Sequence, residues 1–145
     1  MAGGEADENR RILVRMTKTR LLAGATVLFS IAFVLIIATV NARQRPALID
    51  ALYEIPFSDR VGHVVMMGAL SLLMNATIAS RGGAAVRRNM VVASLVLTLI
   101  AALEEGSQHF FDRRTMSLGD LVCSVIGIWL VGFGGVRWWL RRRHV

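Results

Sequence analysis

Asp59 and His63 stand four residues apart, the spacing at which a carboxylate meets an imidazole across one helical turn. Farther along, Glu105 and Gln108 are three apart, and Asp120 and Ser124 are four apart. An imidazole and a carboxylate can serve as acid and base, and His63 with Glu105 is the pair that fits this role. Arg114 can hold a phosphate or carboxylate bidentately, which suits a lipid-linked substrate. Asp59, His63, Glu105 and Asp120 are also of the types that bind a divalent ion. No tight spacing such as His-Glu-x-x-His supports one, so neither a metal nor a cofactor is assigned. The structural alternative is a satisfied ion-pair and hydrogen-bond network that pins helices together. Cys123 is the single cysteine and lies in an apolar run, which excludes a disulfide or a thiolate metal site within one chain. No P-loop, Gly-x-Gly-x-x-Gly, Gly-x-Ser-x-Gly or Cys-x-x-Cys occurs.

The elements that must position these groups are written in the composition. Of 145 residues, 54% are hydrophobic and only 19% charged, and the mean hydropathy is +0.54. A disordered chain is excluded and an ordinary soluble domain is disfavoured. Leu21–Val40 is free of charge and, at about 1.5 Å per residue, spans a hydrocarbon core of about 30 Å. Val61–Ser80 holds one ionisable group, His63. Met90–Leu103 reaches spanning length by running on through Glu104, Glu105 and Gln108. Leu118–Leu140 carries Asp120 near its start and Arg137 near its end. The expected fold is all-α, an integral membrane antiparallel bundle of four transmembrane helices at about 21–40, 61–80, 90–108 and 118–140. Residues 1–20 and 141–145 form basic tails, with Met1–Arg10 disordered, and Pro46–Ser58 is an interfacial stretch. The first run exceeds a signal-peptide core and reads as an uncleaved anchor.

Charge bias sets orientation. Arg10, Arg11, Arg15, Lys18 and Arg20, then Arg81, Arg87 and Arg88, then Arg137 and Arg141–Arg143 hold most of the basic charge. Both ends of the chain are therefore expected in the cytoplasm and the protein in the cytoplasmic membrane. The net charge of +7 points to anionic lipid rather than nucleic acid, since Arg141–Arg143 beside Trp138 and Trp139 read as an interfacial anchor. Asp50, Glu54, Asp59, Glu104, Glu105, Asp112 and Asp120 then fall on the outer side. His63, Glu105, Arg114 and Asp120 should gather at that end of the bundle. On the third helix Ser94, Thr98, Ala101, Glu105 and Gln108 share a small or polar stripe, so Glu105 is the buried carboxylate. Glu104, about 100° away, shares a face with Leu97 and Ile100 and reaches toward headgroups. On the fourth, Asp120, Ser124 and Gly127 line one face whose small residues permit close helix packing. Asn75-Ala76-Thr77 matches a glycosylation sequon but lies inside an apolar helix, where it is chance.

Two blocks of residues resemble the VanZ-like membrane proteins. Pro56-Phe57-Ser58-Asp59-Arg60-Val61-Gly62-His63 is similar to that family's Asp-(Lys/Arg)-x-x-His entry into its second helix. Glu105, Gln108, Arg114, Asp120 and Gly127 follow the spacing of its second block, with Ser124 where the family usually has Asn and Asp112 where a Pro is common. The resemblance implies a small helical protein of the bacterial envelope, in a family whose founding member is associated with low-level resistance to the lipoglycopeptide teicoplanin. Combined with the chemistry above, it makes His63, Glu105 and Asp120 the catalytic candidates and Asp59, Arg60, Gln108, Arg114 and Ser124 the ligand-binding ones. The expected partners are membrane lipids and a lipid-linked or lipoglycopeptide ligand, met at the outer leaflet with Arg114 on the anionic group. A membrane-embedded hydrolase or transferase acting on a lipid headgroup, and an accessory subunit of a larger membrane complex, are the alternatives.

Overall fold

The computed structural model describes residues 2–41, 58–108 and 117–142 and is all-helical there. Helix α1 is Ala2–Asn41, α2 is Ser58–Arg81 and α3 is Val86–Ser107. Helix α4 is Leu118–Arg142. All four are long and apolar enough to cross a membrane, which makes this a multi-pass membrane protein. Most of Pro46–Ser58 lies outside the described residues, as do Asp112 and Arg114. Helix α1 corrects one expectation: it begins at Ala2, where a disordered tail was expected. Extending an established helix needs no new nucleus, which lets it run through Gly3, Gly4 and Asn9 despite their poor propensity, and Asp7 and Arg11 add an ion pair of 2.8 Å one turn apart.

Side-chain contacts fix the direction of every helix. Arg15 donates to the carbonyls of Ser80 and Arg81 at 3.1 and 2.6 Å, while Thr26 meets Thr77 at 3.1 Å, so α1 and α2 are antiparallel. Gly82 and Gly83, with φ of 71° and 99°, turn the chain from α2 into α3. The Arg15 guanidinium occupies the place a Gly82 Cβ would take. Thr98 accepts from Trp129 Nε1 at 3.1 Å near the middle of α3 and α4, and Glu105 meets Ser117 at their other junction, an antiparallel pair. His63 with Ser124 and Ser71 with Ile128 show α2 and α4 running parallel. Consecutive helices thus alternate in direction. Helix α2 touches all three others, whereas the backbone of α1 approaches that of α2 alone among the described residues.

The α2–α4 pair is close because glycine lines it. A Cβ on Gly127 would lie 2.5 Å from the Val64 carbonyl oxygen, and one on Gly132 would collide with the Ser71 side chain. Around this seam Met67, Leu70, Leu97, Ala101 and Ile128 form the buried core. Gly127–Gly134 is wound as a π-helix inside α4. The wider turn leaves backbone groups off their usual register, and Ser71 Oγ donates to the Ile128 carbonyl at 2.9 Å. The middle stretches of the helices expose apolar side chains, with Leu28, Leu35, Leu99, Leu103 and Leu130 each at least 60% exposed, as helices facing lipid require.

Candidate functional site

Because α2 and α4 are parallel and α3 opposes them, the first turns of α2 and α4 meet the last turn of α3. Asp59 sits in the first turn of α2 and Asp120 in the first turn of α4. A carboxylate is favoured at a helix N-terminus, where unpaired N–H groups and the helix dipole carry partial positive charge. Ser117 caps α4, its Oγ accepting from the Asp120 N–H at 3.3 Å. The backbone N–H of the same Ser117 donates to Glu105 Oε1 at 2.6 Å. Glu105 Oε2 accepts from Gln108 Nε2 at 3.1 Å. Glu105 is 2% exposed, so its carboxylate fastens the end of α3 to the start of α4 from within.

His63 stands on the neighbouring side of this junction. Its Nδ1 lies 3.1 Å from Ser124 Oγ, and its Nε2 lies 3.8 Å from Asp59 Oδ1. Asp120 Oδ1 lies 3.9 Å from Arg60 Nε, and the Arg60 guanidinium passes over Gly119, whose Cβ would be 3.3 Å from it. Exposure grades across the group. Ser124 is 2% exposed, and the side chains of Asp120 and His63 are 12% and 15% exposed. Those of Arg60 and Asp59 are 54% and 46% exposed. The result is a polar recess with a buried wall and one open rim.

The sequence candidates are therefore brought together in two sets. Asp59, Arg60, His63, Asp120 and Ser124 form one, and Glu105 with Gln108 and Ser117 the other. No hydrogen bond joins His63 to Glu105 among the described residues, so each of the two expected acid–base partners is engaged elsewhere. Arg114 lies outside the described residues. Glu104 is partly buried, with Gln108 Nε2 at 3.3 Å from both of its carboxylate oxygens. Leu97, expected on the outward face beside Glu104, is instead buried in the core, because the packed face of α3 is wide enough to take in Ser94, Leu97, Ala101 and Glu105.

Sequence reasoning missed two features. Ser117 followed three residues later by Asp120 is a helix-start signal that announces the α4 cap. Farther into the bundle, Asn75 Nδ2 donates to Ser71 Oγ at 3.1 Å and Ser94 Oγ at 3.2 Å. Its Oδ1 is buried with no partner. The signal for this second network is the run Asp59, His63, Met67, Ser71 and Asn75, each four residues after the last and so on one slowly drifting face. No protein-family model, curated protein or solved structure matches the chain.

Proposed function

We propose that this chain is a bacterial envelope protein of the VanZ-like type that engages the headgroup of an amphiphilic, anionic molecule at the recess between α2, α3 and α4. The observation that carries the reading is the half-exposed Asp59–Arg60 rim leading to a buried polar wall between three membrane-spanning helices. A lipid-anchored ligand arrives along the membrane, so its headgroup can enter where the rim opens. Arg60 supplies a guanidinium there, which can pair with an anionic headgroup. Arg114 contributes a second guanidinium on the strength of the resemblance. The excess of basic residues in the first half of α1, around the α2–α3 turn and at the end of α4 supports cytoplasmic placement of those segments and an outer-leaflet position for the recess.

The test is teicoplanin sensitivity of a Gram-positive host expressing wild type or Arg60→Gln, with membrane abundance matched by blot. Wild type should protect and Arg60→Gln should lose most of the protection at equal abundance. Equal protection by both, or none by either, rejects the reading. An accessory-subunit role has one observation in its favour: the most apolar stretch of α1 has no buried residue and leaves a face that a membrane partner could cover.

A further inference from the structure

We infer that Asp59, His63 and Asp120 form a binding site for one divalent cation of the zinc type at the rim of the recess. The three residues offer one imidazole nitrogen and two carboxylate oxygens, and these atoms lie within 4.8 Å of one another. Ligands at about 2.0–2.2 Å from a shared zinc ion stand roughly 3.0–3.6 Å apart. Asp59, half exposed at the rim, is the ligand that would move to close the difference, exchanging its present contacts for the ion. The 3.8 Å gap between His63 Nε2 and Asp59 Oδ1 is too long for a hydrogen bond and suits two ligands of one ion.

Ser124 provides the second observation. A metal-bound histidine donates its other ring N–H to a fixed acceptor, which sets the tautomer and aims the ligating nitrogen. Ser124 Oγ lies 3.1 Å from His63 Nδ1, so an N–H at Nδ1 directs the Nε2 lone pair toward the two carboxylates. A serine beside a histidine is also the arrangement of an activated nucleophile, but Ser124 is 2% exposed and stands on the closed wall. A reagent entering at the rim meets Nε2 and the carboxylates first. Arg60 Nε stands 3.9 Å from Asp120 Oδ1, an ion pair that the bound cation would displace from the carboxylate. One open coordination position then faces the rim, as in zinc sites that take up a water or an anionic ligand.

This inference stands without the headgroup reading, and its test uses no lipid or glycopeptide. The full-length, tag-free chain in lipid nanodiscs is titrated with Zn²⁺ by calorimetry and with Co²⁺ by visible absorption. The expected result is one Zn²⁺ per chain, with affinity reduced about 30-fold or more by His63→Gln and by Asp120→Asn. Ser124→Ala, which keeps every ligand, should weaken binding about 10-fold, while Glu105→Gln should stay within about 3-fold. Equal Zn²⁺ binding by wild type and His63→Gln overturns the site. Because the ligand variants can fail to fold, the wild-type Co²⁺ spectrum decides independently: absence of the strong visible bands of a low-coordinate, protein-bound ion also overturns it.

Discussion

Among the described residues, Glu105 is the most buried acidic group, and its partners define its cost. It takes the Ser117 N–H at 2.6 Å and the Gln108 amide at 3.1 Å. Glu105→Ala should destabilise the protein by about 1–3 kcal/mol, because the backbone donor loses its acceptor in a part-buried place. Glu105→Gln keeps a carbonyl oxygen for Ser117 and should cost less than half as much; thermal unfolding of the purified protein in detergent measures both. Asn75 behaves differently. Its two donated hydrogen bonds are worth about 0.6 kcal/mol each in a membrane bundle, but its Oδ1 is buried and unpaired, a standing penalty. Asn75→Ala should therefore change stability by less than about 1 kcal/mol in the same assay. At this scale the sequence was informative about which carboxylate is buried, since the spacing of Ser94, Ala101, Glu105 and Gln108 phases α3. It did not pair the groups, because partners across helices depend on relative heights that spacing within one helix does not contain.

Helix α4 shows where reading by period stops working. Asp120, Ser124 and Gly127 share a face at α-helical spacing, and continuing that phase would next bury positions 131 and 135. The buried residues are instead Gly132 and Val136, one position later. The π-helical segment at Gly127–Gly134 explains the slip: its wider turns hold about 4.4 residues rather than 3.6, which carries the inward face along the sequence. The small residues of this stretch were legible as a packing surface, whereas the change of winding was not, because it answers to Ser71 and Val64 on another helix. Gly127→Leu and Gly132→Val should each destabilise by more than about 3 kcal/mol, beyond ordinary overpacking, since each added side chain meets backbone or a fixed serine. Loss of the monodisperse peak in size-exclusion chromatography checks this. Gly82→Ala should cost about 1–2 kcal/mol for its positive φ, and more through the displaced Arg15.

For the molecule as a whole, alternation of the four helices puts the start of α1, the α2–α3 turn and the end of α4 at one end, and the recess at the other. The membrane sidedness proposed above is checked with a single cysteine at position 83 in a Cys123→Ser background. A membrane-impermeant maleimide should label it in inverted vesicles and leave it untouched in intact cells. Labelling in intact cells reverses the orientation and would move the recess to the cytoplasmic leaflet. The four-span, all-helical architecture was legible from hydropathy alone, because each run had to cover the same bilayer thickness. The parallel contact of α2 with α4 was not, since every loop joins antiparallel neighbours and nothing in the sequence states which non-consecutive helices meet.

Helix α1 rests on α2 through Arg15, Thr19 and Thr26, and its backbone approaches that of α2 alone among the described residues. A groove of about 1280 Å³, lined by Lys18, Leu22, Leu72 and Trp139 among others, separates it from α4. The recess is built wholly from the other three helices. Selection on the chemistry of the recess therefore acts on one part of the chain and selection on membrane attachment on another. The first helix is thus held by a few polar contacts and by Phe29 and Phe33 against the core, so its attachment can loosen without unmaking the recess.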